Sequence, residues 1–307
     1  MTQATPPRPP EAYSLFGEPL FASPIRLWLP SDPEEYRLKL EELQRERDRA
    51  LLGHLADSDD PGKLIWFARK TEILGNFSEA VSAYSYGVRR WPEDPRFYRF
   101  RGHRFALLRR LDLAIGDLTR ASELIRGKPD EVEVYASGGP SRDKMGFSSF
   151  HWNVWYHLGF SHFAAGSHEE AVKAYRRCME ACDTREAVIA TTHWLYMPLI
   201  RLARWREAEK LLEGVEQGLS LTEVGDYYET LLMYKGLTSP EQVLEHARRD
   251  GGARFMTRGQ AVANLFLARG EARRAVDIYR EVLVSGEWTG GVHLIAEAEL
   301  KRLGSPP

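Results

Sequence analysis

The 307-residue chain has only two cysteines, Cys178 and Cys182. Two thiols cannot form the disulfide framework of a small secreted domain. A spacing of four on one helix face is also poorly placed for a disulfide, so both read as small core or half-buried helix residues. Charge of one sign is not in excess either: 42 Lys and Arg against 44 Asp and Glu leave a formal charge of −2. Bulk attraction to nucleic acid or an anionic surface needs clustered basic residues, so no nucleic-acid partner is expected. No uninterrupted apolar run approaches the roughly 18 to 20 residues that cross a bilayer, so no membrane span is expected. The glycine-rich phosphate loops, the nucleophile elbow and the paired-histidine zinc helix are missing as well, and no cofactor or metal is expected.

Residues 1–30 form a proline-rich N-terminal tail, with four prolines in the first ten positions and no apolar signal region. A cytoplasmic chain is the expectation. A natural leader removed ahead of residue 1 would leave the same sequence and an exported protein. Tyr13, Leu15, Phe16, Leu20 and Phe21 are apolar enough to dock the end of the tail onto the body.

What the chain does have is periodicity. Pro61 and Pro95 are 34 apart, and so are Phe77 and Leu111, Ala80 and Ala114, and Gly87 and Ala121. In the first unit, large and small residues alternate through Leu64, Phe67, Ala68, Gly75, Phe77, Ala80, Tyr84, Gly87 and Pro92. This spacing predicts two antiparallel helices, near 62–74 and 78–90, with small residues where the helices approach closely. Cap-and-proline starts recur in phase at Asp32-Pro33, Asp60-Pro61, Asp94-Pro95 and Ser239-Pro240, and Ser167-His168-Glu169-Glu170 reads as a capping box.

The third unit carries Trp155-x-x-Leu158-Gly159-x-x-His162, then Gly166, Ala171, Tyr175 and Cys178. In this pattern the chain resembles the tetratricopeptide repeat, with His162 in place of an aromatic and Cys178 in place of an alanine. The resemblance implies an all-α, right-handed helical solenoid of helix-turn-helix repeats with capping helices at both ends. It places one solenoid domain over 31–307, with repeats near 61–94, 95–126, 152–185, 189–219, 221–250 and 256–287. Helices over 34–55 and 291–303 would cap the front and back. It is also similar to bacterial proteins that carry such a solenoid as nearly their whole chain.

In that family the first helix of each pair lines a concave face. Carried over position by position, the ligand-facing residues are Arg69, Arg99 and His103, then Asn153, Tyr156, His157 and Phe160. His193, Trp194 and Met197 follow, then Tyr227, Tyr228 and Asn264. No Lys falls at these positions in the first three repeats, so the family's carboxylate clamp of Lys and Asn is not reproduced. The wall is instead aromatic and histidine-rich, with arginine at its front end. Ten of the 34 aromatics and five of the nine histidines fall within 147–197. Trp155 and Tyr175, at core motif positions, are expected inside.

A 23-residue insert separates the second and third repeats, and its loop is expected over 127–149. Loops of that length inside a tight solenoid are often functional. It is expected to fold over the groove as a lid, with Tyr135, Met145 and Phe147 toward the ligand. The functional expectation is a scaffold or adaptor that holds a peptide or protein segment in the concave groove. The alternative is a small-molecule-binding or enzymatic protein using the same groove for a partly apolar ligand, with His103, His157, His193 and an arginine as acid–base or polarising groups.

Overall fold

The structure, a computed structural model, describes residues 9–22, 32–133, 149–222, 224–285 and 288–307. A lone helix α1 (Pro33–Ala56) precedes the pairs α2 (Pro61–Ile73) with α3 (Phe77–Arg90) and α4 (Pro95–Leu107) with α5 (Leu111–Leu124). After the insert come α6 (Phe150–Ala164) with α7 (His168–Glu180) and α8 (Arg185–Arg201) with α9 (Trp205–Leu212). Then follow α10 (Gly225–Tyr234) with α11 (Pro240–Asp250), α12 (Gly252–Ala268) with α13 (Ala272–Ser285), and α14 (Gly291–Arg302). Helices pack on their sequence neighbours along the stack, except that α10 packs on α8 and α12 rather than on α9. Among the described residues, no helix is long and apolar enough to cross a membrane.

The start of each pair is set locally. Asp32 accepts two backbone N–H groups of α1, and Asp60 and Asp94 each accept one, from Gly62 and Arg96. Ser239 and Gln242 close the full reciprocal capping box. The box expected at Ser167 does not form: its ψ is 66°, short of the extended backbone of the capping residues above, and its side chain makes no cap hydrogen bond. Asn76 has the same ψ near 65° and likewise makes no side-chain cap. Both follow a left-handed turn residue, Gly75 in the first pair and Gly166 in the third. In the second pair the left-handed position is Arg109, at φ 63°, where a side chain is strained.

The core is the repeat pattern made solid. Ala80 and Tyr84 in α3, Ala171 and Tyr175 in α7, and Ala275 and Tyr279 in α13 are all fully buried. In each, the alanine lets two helices approach and the ring one turn on fills the space beside it. Cys178 joins this core and Cys182 is half-buried; both are free thiols. Tyr175 is inside as expected, whereas Trp155 is only half-buried.

Gly87 shows how tight the packing is. A methyl group there would lie 2.1 Å from the Phe97 ring, which is itself fully buried. Alanine is the better helix former by about 1 kcal/mol. Overpacking of about 1–3 kcal/mol outweighs it, so Gly87→Ala is expected to lower the urea midpoint with an unchanged slope.

The N-terminal segment and the last helix sit differently from simple end caps. Residues 12–13 and 19–20 pair as a short antiparallel hairpin. Its Glu11 carboxylate accepts the Ser78 N–H at 2.8 Å, serving the end of α3 that Asn76 leaves uncapped. On its other side the hairpin meets α14, where Lys301 donates to the Leu15 carbonyl at 2.9 Å. Helix α14 covers α12 and α13, and it also reaches back to α4 and α6. Its residues 294–300 are all buried, so the middle of the helix is enclosed by protein.

Candidate functional site

The inner helices of the first three repeats bring one polar cluster together. Arg69 and Glu72 lie one turn apart on α2, and Arg99 and His103 one turn apart on α4, with Arg104 beside them. His157 comes from α6. Glu133, at the root of the insert, completes the group by accepting from Arg99 Nη2 at 3.0 Å, with Arg69 Nη2 at 3.9 Å. Tyr84 donates its hydroxyl to Glu72 Oε2 at 2.9 Å, and Arg104 Nε stands 3.4 Å from the same oxygen. The three arginines and both glutamates are buried, whereas His103 and His157 keep partial exposure.

The two imidazoles stack, with centroids 3.9 Å apart. Arg104 Nη2 lies 2.7 Å from His103 Nδ1 and 3.4 Å from its Nε2, and Arg99 Nη1 lies 3.5 Å from Nδ1. A nitrogen facing two guanidiniums must be an acceptor, which assigns the proton to His103 Nε2. Burial is the main force holding the His103 pKa well below its usual value, and the Arg104, His157 and Arg99 charges push the same way. His157 is lowered likewise by burial and then by Arg99 and Arg104. Both rings are therefore neutral at pH 7.

Among the described residues, the guanidiniums of Arg69, Arg99 and Arg104 face the carboxylates of Glu72 and Glu133 here. Arg99 Nε and Arg104 Nη1 are buried without a hydrogen-bond partner among those residues. A buried donor left unmatched costs about 1–3 kcal/mol, and more when it is charged. Arg104 and Glu133 were not among the sequence candidates. The available signal was α4 itself, which carries arginine at 96, 99, 101 and 104. No single face of one helix can expose all four.

The expected groove farther back is a filled interior. Phe160, His193, Trp194, Met197 and Asn264 are buried there; Arg69, Arg99 and Asn153 are also buried, at the front. Asn153 donates to the Ser149 carbonyl at 2.9 Å, and the Asn264 amide reaches toward the Met197 carbonyl at 3.4 Å. Tyr156 and Tyr227 are half-buried, with their hydroxyls 3.5 Å apart. Tyr228 faces away from this region, bonding the Glu216 carbonyl at 2.8 Å and thereby tying down the loop ahead of α10. The cause of the filling is α12 and α14, which pack on the inner faces of α8 and α6.

His193 does not join His103 and His157. Its Nδ1 sits 2.7 Å from Thr230 Oγ1, which in turn donates to the Tyr227 carbonyl at 2.7 Å, so His193 Nδ1 is the donor. Burial takes its pKa down to about 3. The three-histidine site is thus a stacked two-histidine pair plus a separate core imidazole. The lid residues Tyr135, Met145 and Phe147 lie outside the described residues. Among the described residues, no cluster of three or more His, Cys, Asp or Glu side chains is arranged to hold a metal ion.

At the back, two buried charges anchor α14. Glu297 accepts the Leu15 N–H at 3.0 Å and Arg109 Nε at 3.2 Å, and meets His293 Nδ1 at 2.9 Å. Glu299 pairs with Arg201 at 3.1 Å and with Arg302 at 2.7 Å. Arg109 also donates to the Trp288 carbonyl at 2.9 Å. The sequence signal for this role of Arg109 is the lack of glycine where the first and third repeats place Gly75 and Gly166.

Residues 74–130 match the model of a family described as tetratricopeptide repeat. Among curated proteins, none matches the sequence. Among solved structures the chain is similar to YrrB, described as a TPR protein with an unusual peptide-binding site. The identity is 13%, over 82% of this chain and 97% of that one, with a TM-score of 0.43. It is also similar to a tetratricopeptide repeat protein from Parabacteroides merdae, at 12% identity over 86% and 94% of the two chains and a TM-score of 0.47. The chain thus carries a tetratricopeptide repeat over 74–130, within an all-α stack in which the same helix-pair unit recurs.

Proposed function

We propose that the protein is an interaction scaffold that holds a peptide or protein segment against the front half of its concave side, on α2, α4 and α6. Stacked helix pairs have the build of a scaffold, because they join several repeats into one binding surface. One observation favours the front half. His103, Tyr156 and His157 keep partial exposure there, while farther back the chain's own α12 and α14 lie against the inner helices. Rigid rings supply contact area at low entropic cost, and buried arginine beside them supplies directional donors.

A photo-crosslinking amino acid placed at Tyr156, and separately at the exposed Leu55 on α1, tests this in cells that naturally make the protein. Adducts from position 156 that map to one segment of one partner, with few from position 55, are the expected result. Adducts formed only from exposed positions on α1, α3 or α5 would move the partner to the outer surface and overturn the proposal.

A further inference from the structure

We infer that the outer face of α1 pairs with the same face of a second copy of this chain, the two helices running antiparallel. The inference is independent of the docking-face reading, because it concerns a surface at the front end of the stack. Helix α1 turns Leu40, Leu43, Ala50 and Leu51 toward the helices behind it. Yet among the described residues four leucines are exposed, and three of them, Leu38, Leu52 and Leu55, lie on α1, at 49%, 65% and 66%. Single exposed leucines are common, so their spacing decides more than their number. Positions 38, 41, 45, 48, 52 and 55 are all exposed, and they step alternately by three and four. That alternation keeps side chains on one stripe and is the spacing of a seam between two helices.

The order of residues along the stripe selects the occupant and its direction. The stripe reads Leu38, Glu41, Arg45, Asp48, Leu52, Leu55. About a dyad between residues 46 and 47, position 38 faces 55 of the other copy, 41 faces 52, and 45 faces 48. Arg45 therefore meets Asp48 twice at the centre, and Leu38 meets Leu55 at both ends, the isologous pattern of a two-fold dimer. Arg45 and Asp48 keep 67% and 56% of their side chains exposed, so both can reach across. Glu41, whose carboxylate is held by Arg37 at 2.6 Å, lays its methylenes on Leu52. A parallel pairing would instead set Glu41, Arg45 and Asp48 each against its own like charge, which is costly. The seam is about 26 Å long at 1.5 Å per residue. One helix from each copy is less than the roughly 800 Å² per partner of a standard stable interface. A dissociation constant on the order of 10 µM is therefore expected.

The test is sedimentation velocity of the purified full chain over about 1–200 µM, a range that brackets micromolar association. The weight-average mass is expected to rise from one chain toward two. Leu52→Glu, which sets a second carboxylate against Glu41, is expected to weaken the dimer by about tenfold or more. Position 52 is exposed, so the thermal midpoint at low concentration is expected to stay close to wild type. Arg45→Asp and Asp48→Arg are each expected to weaken self-association, and an equal mixture of the two to restore it, because opposite charges then meet. A photo-crosslinking amino acid at position 55 of the purified protein reads the direction. Adducts near residue 38 are expected, and they must join two copies, because on the same helix the two positions are about 26 Å apart. Such adducts contain this chain alone, so they stay distinct from any partner captured at position 156. A chain that stays monomeric over the whole range overturns the inference. A dimer that none of the three substitutions weakens places the interface elsewhere and also overturns it. Capture by position 55 of position 55 in the other copy, of the chain's own N-terminal tail or of a different protein would replace the antiparallel copy as the occupant.

Discussion

Arg109→Ala is expected to destabilise the protein by about 3–5 kcal/mol, the loss typical when one partner of a buried ion pair is removed. Glu297 is 1% exposed, and Arg109 is its cationic partner. Without Arg109 the carboxylate would remain charged in the interior with only His293 and the Leu15 N–H facing it. The same guanidinium holds the Trp288 carbonyl and covers the Trp288 ring, so the approach to α14 would loosen too. Arg109 occupies a left-handed turn position at φ 63°, so Arg109→Gly separates backbone from side chain. Glycine relieves strain of about 1 kcal/mol while losing the same ion pair, and it is expected to be less damaging than alanine by that amount. Urea unfolding of the three proteins at pH 7 checks the order.

The pH dependence of this pair has a definite sign. Burial alone would raise the Glu297 pKa, but hydrogen bonds from His293 and Arg109, the Arg109 charge and the Leu15 N–H hold it down to about 2. A carboxyl whose folded value lies below its unfolded value contributes stability above the unfolded value and loses it as pH falls toward the folded one. The gap here corresponds to about 3 kcal/mol, present above about pH 5 and lost progressively toward pH 2. In Arg109→Ala much of that loss is already incurred. The stability difference between wild type and variant is therefore expected to shrink as pH drops from 5 toward 2. A difference that stays constant over this range would remove Glu297 ionisation as the cause.

The helix pairs were legible because their signals are local. An aspartate or serine before a proline, small residues at close crossings and a ring one turn later act within a single repeat, so Ala80–Tyr84 and Ala275–Tyr279 could be read directly. The concave face was not legible in the same way. Motif position states which side of a helix faces inward, and Phe160 and Trp194 do face inward. It cannot state what stands opposite, and opposite them are α12, against α8, and α14, against α6, both far along the chain. The expectation of a wall therefore placed the residues correctly in the helix and incorrectly in their environment. His103 and His157 could be paired because equivalent positions stack between adjacent repeats. Glu133 could not, because it comes from the insert root, outside the periodicity. Arg109 was hidden for the opposite reason: it sits in the repeat at a position whose usual occupant is glycine.

Trp194→Ala is the prediction that separates a core wall from a ligand wall, and it is expected to cost about 3–5 kcal/mol. The indole is 3% exposed and stands among the rings of Tyr156, Phe160, Tyr175, His193 and Tyr227, with centroids 5.5–6.3 Å away. Most of these contacts are edge-to-face, the arrangement that the ring quadrupoles favour. Removing the indole opens a cavity that five rings from α6, α7, α8 and α10 cannot close together, because each is fixed by its own helix. Indole Nε1 has no hydrogen-bond partner among the described residues, so Trp194→Phe loses no bond and keeps most of the packing. It is expected to cost less than about 1.5 kcal/mol. Near-ultraviolet circular dichroism reports the same ring cluster and should change strongly in the alanine variant and weakly in the phenylalanine one. A residue on an open binding wall would behave otherwise, since its truncation would leave stability within about 0.5 kcal/mol and reduce partner affinity instead. That outcome would return Trp194 to the binding surface and require α8 to be uncovered in solution.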